Sequence, residues 1–318
     1  MTTPTKEQQD VIDHKDGPAL VLAGPGTGKT HVVVERVKKL VEQNVDEDKI
    51  LCVTFTEKAT EEMQNRLADM GNMDTKVSTF HSFCKEVCED HLLESGIATD
   101  SKLLKETSLQ VWCMQNSDRF GIDTNVIEMG KDNATLFKGI VQAISNFKES
   151  LITSSEFQTW LDAKSDEINK MSEDERVNNA ELIEYVRYHI EFNKVYAEYE
   201  KFQKDNGVYD FDDLIKKAID LLKNNSLVLN SYTQKYKYIL VDEFQDNNFG
   251  QYELVRLLGQ NGNVMVVGDD NQLVMRFQGA RQANFTEFKK QFANVREYHI
   301  TENFRSTKEI IGFANLFL

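Results

Sequence analysis

The stretch AGPGTGKT, from Ala23 to Thr30, has residue types that could cradle phosphate groups. It follows an apolar run and precedes a helical pattern, so a strand, a glycine loop and a helix are predicted in succession. In such a loop Gly26 and Gly28 let successive backbone N–H groups face one anion. Lys29 would reach the outer phosphates, and the Thr30 hydroxyl would bind Mg²⁺. The alternative is a chance glycine turn at a helix start, since Ala23 replaces the usual first glycine.

A pair of carboxylates follows a later apolar run, Tyr238–Val241. Asp242 would lie at the carboxyl end of that strand, where a carboxylate can hold Mg²⁺ through water. The adjacent Glu243 could orient or deprotonate the water that attacks a terminal phosphate. A solvated turn is the alternative, but the phosphate loop in the same chain favours the catalytic interpretation.

Two further polar segments follow the last predicted strands. Gln272, within GDDNQ, could hydrogen-bond a γ-phosphate or the attacking water. Arg305, within NFRS at a predicted helix start, could stabilise charge on a transferring phosphoryl group. The alternatives are a polar loop for Gln272 and an ordinary surface arginine for Arg305.

Strands and helices alternate at both ends of the chain. The predicted strands are Ala19–Leu22, Ile50–Phe55, Lys76–Phe80, Tyr238–Val241, Asn263–Val267 and Val295–Ile300. Alternation of this kind predicts an α/β fold with a parallel sheet, whose ligand lies at the carboxyl ends of the strands.

The middle of the chain has a different character. From about residue 92 to residue 206 strand-like runs disappear, and charge-rich helical patterns such as 181–202 replace them. This predicts a helical insertion of roughly 110 residues, a usual size for a small domain. Residues 164–179 are its most polar part and are predicted to form a mobile loop.

Composition narrows the class of protein. No apolar run approaches the roughly 20 residues of a membrane helix, and the N-terminus has no signal-peptide core, so we expect a soluble, cytoplasmic chain. The four cysteines form no C-x-x-C pair, which favours reduced, buried thiols over a zinc site. A net charge of −15 argues against nonspecific adhesion to nucleic acid but does not exclude a local binding groove.

The ordered motifs resemble the N-terminal part of UvrD/Rep/PcrA-like superfamily 1 DNA helicases, motors that move 3′ to 5′ along single-stranded DNA. The matching features, in chain order, are Gln8, AGPGTGKT, VTFTEKA, STFHSF, YDFDDL, VDEFQD, GDDNQ and NFRST. The resemblance covers both α/β portions of the chain, and the helical segment lies where the family inserts an accessory domain.

This resemblance implies a RecA-like P-loop NTPase fold, with a parallel sheet and an inserted all-helical subdomain. Residues 1–91 and 207–300 would form the two parts of the first motor domain, and residues 92–206 the insertion. Residues 301–318 would begin a second motor domain. We therefore expect this chain to hold one motor domain with its insertion, to bind ATP weakly and not to translocate by itself.

The resemblance also assigns roles around ATP and Mg²⁺, the implied cofactors. Gln8 would read adenine, Asp242 would join Thr30 at the metal, and Glu243 would handle the attacking water. Gln272 would sense the γ-phosphate and Arg305 would act as an arginine finger. The implied nucleotide-binding residues are Gln8, Gly24, Gly26, Thr27, Gly28, Lys29, Thr30 and Phe304.

Aromatic and hydroxyl side chains carry the implied DNA contacts, because bases stack on rings while hydroxyls hold phosphates. The matching residues are Phe55, Thr56, Thr79, Phe80, His81, Met275 and Phe277. Core packing is the alternative for Phe55 and Phe80. Several positions depart from the family pattern: Met275 replaces a tyrosine, Gln278 and His31 replace arginines, Glu57 replaces an amide, and Asn247 replaces a threonine. Stacking by Met275 would be weaker than by a tyrosine.

The predicted function is ATP hydrolysis coupled to movement on single-stranded DNA or at single/double-strand junctions. One alternative keeps the ATPase as a switch or subunit of a helicase–nuclease system, with a nuclease or repair partner. Another is a non-translocating module that binds nucleotide or DNA. The intact set of predicted ATP-site residues disfavours the second alternative.

Overall fold

The computed structural model describes residues 3–71, 74–97, 101–122, 133–269, 283–307 and 309–310, and every structural statement below refers to these residues. The strands are β1 (Ala19–Ala23), β2 (Ile50–Thr54), β3 (Lys76–Thr79), β4 (Lys102–Leu103), β5 (Val208–Tyr209), β6 (Tyr238–Val241), β7 (Val264–Gly268) and β8 (Arg296–Ile300). The helices are α1 (Lys6–Ile12), α2 (Lys29–Glu42), α3 (Glu57–Asp69), α4 (Phe80–Asp90), α5 (Leu92–Ser95), α6 (Glu106–Asn116), α7 (Asn133–Glu149), α8 (Ser154–Asn169), α9 (Glu173–Asn178), α10 (Ala180–Asn206), α11 (Phe211–Asn224), α12 (Ser226–Lys235), α13 (Phe249–Leu258) and α14 (Ala283–Gln291).

The chain forms two compact units. The first unit combines Met1–Val87 with Ala218–Leu318, and the second is Cys88–Lys217. The second unit contains the whole of the predicted insertion at residues 92–206, and the YDFDDL segment as well. An ion-pair cluster, described below, joins this segment to a helix of the same unit.

A parallel sheet organises the first unit. Its strand order is β3-β2-β6-β7-β1-β8, and every neighbouring pair is parallel. The inner strands β2 and β7 are buried along their whole length, as expected for a sheet covered on both faces. The charged edge strand β8 is mostly exposed, which discourages pairing with another chain. The predicted α/β fold with a parallel sheet is confirmed.

Helix α2 packs one apolar face on this sheet. Val33, Val37 and Leu40 recur at helical spacing and are buried in the core of the first unit. The helix begins at Lys29, directly after Gly28, whose left-handed conformation ends the glycine loop. Strand β1 and helix α2 therefore fix both ends of the loop that the sequence identified.

The helical unit has its own core. Helix α10 contributes Phe192, Val195, Tyr196 and Tyr199 to a cluster that also includes side chains of α6, α7 and α8. Burial of these aromatic rings supplies apolar contact area that a charge-rich helix would otherwise lack. In the described part of this unit, the only strands are the two-residue β4 and β5, which pair in parallel.

The predicted loop at residues 164–179 is wrong for most of its length. Helix α8 continues to Asn169, and α9 spans Glu173–Asn178. Polar residues in this segment form helix caps: the Glu175 carboxylate accepts a hydrogen bond from the Ser172 backbone N–H at 2.8 Å. Such a capping box satisfies donors that a helix start leaves unpaired.

A buried lysine joins the YDFDDL segment to α7. Lys148 Nζ lies 2.7 Å from Asp210 Oδ2 and 2.6 Å from Asp213 Oδ1, and its side chain is 2% exposed. Burial alone would lower the pKa of Lys148, but the charges of Asp213 and Asp210 hold that pKa above its usual value. The ammonium group thus stays charged inside the helical unit and contacts both carboxylates.

Among the described residues, none of the helices combines the length and the apolar character needed to cross a membrane.

Replacing Lys148 by methionine should destabilise the helical unit strongly. The variant Lys148→Met keeps the apolar stem but leaves Asp210 and Asp213 buried without their cation, which typically costs about 3–5 kcal/mol. Urea unfolding followed by tryptophan fluorescence measures this loss, because both tryptophans of the chain, Trp112 and Trp160, lie in this unit.

Lys164→Met is the matched control for that measurement. Lys164 forms an exposed ion pair with Glu167, and such pairs contribute at most about 1 kcal/mol. If the two variants lost equal stability, the buried cluster would not be a major determinant of the unit's stability.

Candidate nucleotide site

The glycine loop has a backbone that only glycine adopts readily at two positions. Gly26 and Gly28 have φ values of 76° and 84°, in the left-handed region. The Thr27 hydroxyl donates a hydrogen bond to the Gly24 carbonyl at 2.8 Å and closes the turn. A Cβ at Gly26 would lie 2.6 Å from the Cβ of Arg305. The loop geometry therefore depends on glycine both for its conformation and for its close packing.

Two side chains that follow the loop contact the carboxylates that follow β6. The Thr30 hydroxyl donates a hydrogen bond to Asp242 Oδ2 at 2.7 Å. Lys29 Nζ lies 2.9 Å from Glu243 Oε2. Strand β7 alone separates β6 from β1 in the sheet, so the carboxyl ends of these strands lie close together. The structure thus brings together the four residues that the sequence placed at a metal and a phosphate.

Asp242 carries a perturbed carboxyl group. Its side chain is buried, and its pKa is raised to about 6 by that burial and then by the negative charge of Glu243. The hydrogen bond from Thr30 acts in the opposite direction. A buried carboxylate beside a second carboxylate favours a cation, because positive charge offsets both the desolvation and the repulsion.

Glu243 is positioned by backbone conformation and by a neighbouring amide. It has a left-handed φ of 52°, and its N–H donates to Asp242 Oδ1 at 3.0 Å. The Gln245 amide donates to Glu243 Oε2 at 2.7 Å and accepts from the Asp269 backbone N–H at 3.0 Å. A Cβ at Gly268 would lie 2.8 Å from Gln245 Oε1, so glycine makes room for this bridge.

Sequence reasoning assigned no role to Gln245. Its position could have indicated a role, because Gln245 lies three residues beyond Asp242 in VDEFQD, the segment that holds both predicted carboxylates. The structure shows that it connects Glu243 to the end of β7, which leads toward the GDDNQ segment. Gln272 itself lies outside the described residues, as do Met275, Phe277 and Gln278.

Gln8 joins the N-terminal helix to the loop. Its Nε2 donates to the Thr27 carbonyl at 2.9 Å, and its Oε1 accepts from the Thr5 backbone N–H at 3.0 Å. The side chain is 4% exposed. An amide nitrogen carries two hydrogens, so the bond to Thr27 leaves Gln8 the capacity to donate a second one.

The segment around Arg305 packs directly on the loop. The Phe304 backbone N–H donates to the Gly26 carbonyl at 2.8 Å, and Asn303 Nδ2 donates to the Pro25 carbonyl at 2.6 Å. Asn303 Oδ1 also accepts from the Arg305 backbone N–H at 2.8 Å. The Phe304 ring is 58% exposed. Asn303 is thus a second residue whose positioning role the sequence analysis did not assign.

These groups surround a cavity of about 350 Å³. It is lined by Pro25, Gly26, Gly28, Lys29, Thr30, His31, Ala59, Glu62, Arg66, Asp242, Glu243 and Arg305. Arg66 was not predicted here and forms an ion pair with Glu62. The His31 Nε2 atom is buried and has no hydrogen-bond partner within the described part of the chain. Cationic, hydroxyl and carboxylate groups therefore converge on one volume, a donor set that fits a nucleotide polyphosphate with Mg²⁺.

A second cavity, of about 450 Å³, is formed by residues of α3, β3 and the first turn of α4. Its lining residues are Glu57, Lys58, Thr60, Glu61, Gln64, Val77, Ser78, Thr79 and Ser82. Of the predicted DNA-contacting residues, Phe55 is 37% exposed, and Thr56 caps α3 by accepting from the Ala59 backbone N–H at 3.1 Å. Burial lowers the pKa of His81, and the charge of Glu57 opposes that effect.

Phe80 does not lie where a base could stack on it. Its ring is 1% exposed, because β3 ends at Thr79 and α4 begins at Phe80, which turns the side chain into the core. The predicted strand Lys76–Phe80 is therefore one residue too long, and the core-packing alternative describes this ring correctly. Phe55, which directly follows β2, keeps part of its ring in solvent.

A parallel α/β sheet with a glycine loop between its first strand and the following helix, and with carboxylates at a nearby strand end, defines the class of RecA-like P-loop NTPase domains. The sequence model of the UvrD/REP helicase N-terminal domain matches residues 4–293. The chain therefore belongs to the UvrD/REP helicase family.

Several curated relatives resemble nearly the whole chain. ATP-dependent DNA helicase Rep of Buchnera aphidicola is 30% identical over 316 residues, which cover 98% of this chain and 42% of the relative. ATP-dependent DNA helicase PcrA of Bacillus subtilis is 33% identical over 315 residues, with 97% and 38% covered. A probable DNA helicase II homolog of Mycoplasma genitalium is 34% identical over 334 residues, with 98% and 42% covered. The chain spans about two fifths of the length of these relatives.

Replacing Asp242 by asparagine should stabilise the ligand-free chain in a pH-dependent way. The folded-state pKa of about 6 exceeds the ordinary value of 3.8, so folding costs free energy wherever Asp242 is ionised. That cost is complete above about pH 6 and vanishes below about pH 4. The variant Asp242→Asn should raise the free energy of unfolding by on the order of 2–3 kcal/mol at pH 8.

Urea unfolding followed by circular dichroism from about pH 4 to pH 8 measures the difference between variant and native chain. The stabilisation should shrink as the pH falls from about 6 to 4, because the buried carboxyl group of the folded state takes up a proton over this range and no longer has to be ionised. A stabilisation that persisted at pH 4 would contradict the buried charge as its cause.

Proposed function

We propose that this chain binds ATP with Mg²⁺ in the 350 Å³ cavity and serves as the first motor domain of an ATP-dependent 3′–5′ DNA helicase or translocase. The observation that carries this proposal is the contact between the phosphate loop and the strand-end carboxylates. Thr30 bonds to Asp242 and Lys29 pairs with Glu243, so the predicted metal, phosphate and water groups share one cavity. The relatives' names, which include ATP-dependent DNA helicases, support it further.

Each side chain at the cavity has a distinct task in this proposal. Thr30 and Asp242 would hold Mg²⁺, which when bound neutralises charge on the phosphates. Lys29 now pairs with Glu243, and a polyphosphate would compete for its ammonium group. Glu243 would then accept the proton of the attacking water at its carboxylate, held in place by Gln245.

Residues outside the loop would recognise the base and complete the charge stabilisation. Gln8 has a second amide hydrogen for adenine, and the exposed Phe304 ring offers a surface for stacking. Arg305 lines the cavity and is proposed to stabilise the transferring phosphoryl group. Gln272 is proposed as the γ-phosphate sensor. The segment that holds Phe304 and Arg305 is proposed to lead into a second motor domain.

Single-stranded DNA is the proposed track. Phe55 presents a partly exposed ring for base stacking, while Thr56, Thr79 and His81 supply polar groups at the ends of β2 and β3. Met275 and Phe277 are proposed DNA contacts from the resemblance alone. The helical unit Cys88–Lys217 is proposed as the accessory subdomain. The second candidate function is that of an ATPase switch or subunit of a helicase–nuclease system.

Replacing Lys29 by alanine should abolish nucleotide-dependent activity. Loss of a charge-assisted contact to phosphate removes about 2–4 kcal/mol of binding or transition-state stabilisation, which is a loss of at least about 30-fold. Fluorescent ATP-analogue binding by this chain, and ATP hydrolysis in its longest available form, measure the effect. Lys38→Ala is the matched control, since Lys38 lies on the same helix in an exposed pair with Glu42. Normal activity of Lys29→Ala would remove the phosphate loop from the mechanism.

Hydrolysis should depend on single-stranded DNA if the protein is a motor. In the longest available form of the protein, we expect a single-stranded oligonucleotide to raise the ATPase rate by at least about tenfold. In a motor, DNA binding is coupled to the conformational steps that accompany ATP hydrolysis. A rate that is equal with and without DNA would contradict translocation and favour the role of an ATPase switch. The comparison thus separates the two candidate functions directly.

A further inference from the structure

The carboxylate of Glu57 accepts hydrogen bonds from two hydroxyl groups near the end of β3. Glu57 Oε1 accepts a hydrogen bond from Thr79 Oγ1 at 3.0 Å and another from Ser82 Oγ at 2.9 Å. Glu57 is the first residue of α3, Thr79 is the last residue of β3, and Ser82 lies in the first turn of α4. Three consecutive elements of the first unit are therefore joined by one carboxylate.

These contacts lie in the 450 Å³ cavity that residues of α3, β3 and α4 line. A hydroxyl group has a single hydrogen, so Thr79 and Ser82 cannot donate to another anion while they donate to Glu57. Phosphate oxygens in other proteins are bound by hydroxyl groups, lysine side chains and helix N-termini. This cavity has all three: the two hydroxyls, the Lys58 side chain that also lines it, and the nearby start of α4. The Glu57 carboxylate thus takes the place that an external anion would take.

We propose that Glu57 sets the affinity of this cavity for the phosphate backbone of single-stranded nucleic acid by competing with phosphate for the hydroxyls of Thr79 and Ser82. This inference rests on the proposed function, because it assumes that the strand crosses the ends of β2 and β3. A phosphate that enters the cavity displaces the carboxylate, and the exposed Glu57 side chain rotates into solvent. The strand is therefore held more weakly at this point, and released more readily, than it would be beside a neutral side chain.

The cost of releasing the hydroxyls from Glu57 gives the size of the effect. The net free energy of a solvent-accessible hydrogen bond is about 1 kcal/mol, which corresponds to a change of about fivefold in a dissociation constant. Glu57 also lies in the first turn of α3, where a negative charge stabilises a helix. A purely structural role would appear in the free energy of unfolding and would not tighten nucleic-acid binding.

The test compares Glu57→Gln with Glu61→Gln in this chain. Both substitutions remove one carboxylate of α3 that lines the same cavity, but the described contacts join only Glu57 to the hydroxyls of Thr79 and Ser82. Fluorescence anisotropy with an oligothymidylate of about 15 nucleotides gives the dissociation constants at salt concentrations from about 50 to 200 mM. Urea unfolding of each variant gives the accompanying change in stability.

Glu57→Gln should bind the oligonucleotide about fivefold more tightly at low salt, while Glu61→Gln should change the affinity less than about twofold. The slope of log affinity against log salt should change by less than about 0.7 in Glu57→Gln, because hydroxyl donors carry no charge and their contact with a phosphate releases no counterion. Adding Ser82→Ala to Glu57→Gln should remove part of the gain, because one of the released donors is then lost.

Three results would overturn the inference. Unchanged or weaker binding by Glu57→Gln, with clear binding by the native chain, would remove the competition and leave the proposed DNA function intact. Equal gains for Glu57→Gln and Glu61→Gln would show that general charge, rather than hydroxyl release, controls affinity. Absence of oligonucleotide binding by every variant at the lowest salt would overturn both the inference and the proposed DNA contact at this cavity.

Discussion

The mutual neutralisation of the phosphate loop and the strand-end carboxylates is the interaction on which the rest of the first unit depends. Lys29 is 7% exposed and Asp242 is 2% exposed, so neither group could be buried at this strand end without a partner of opposite charge or a hydrogen bond. The sheet order places β1 and β6 on either side of β7 and so supplies those partners. Gly268 then allows Gln245 to brace Glu243, and the carboxylates remain available at an open cavity.

Lys148 and Lys29 both form ion pairs with carboxylates, but the two pairs differ in their exposure to solvent. Lys148 is enclosed by Asp210 and Asp213, whose side chains are 14% and 15% exposed, and this cluster holds the YDFDDL segment to α7. Lys29 pairs instead with Glu243, whose side chain is 37% exposed and lines a cavity. A ligand anion can replace a partner only where that partner borders open space. The enclosed Lys148 cluster therefore has a structural role, whereas a ligand anion can replace Glu243 as the partner of Lys29.

The sequence predicted the features that depend on residue type and on position at a strand end. The parallel sheet and the proximity of Thr30 to Asp242 follow from apolar runs that end in polar residues, and the structure has both. The role of Asn303 could not be predicted, because its partner is the main-chain carbonyl of Pro25, which no residue type in the sequence identifies. Phe80 is apolar in either environment, so residue type alone could not separate a stacking surface from the core. The loop predicted at residues 164–179 is wrong because polar side chains are common both in loops and at helix caps, so polarity alone does not distinguish the two.

The hydrogen bond between the Phe304 N–H and the Gly26 carbonyl links the loop to a distant segment through main-chain atoms alone. Any reorientation of the peptide group after Gly26 must move the backbone at position 304 or break this bond. Substitutions of the side chain at position 304 leave the linkage in place, with proline as the exception because it lacks the N–H. The main-chain hydrogen bond therefore persists through most substitutions at position 304, and the segment stays attached to the loop.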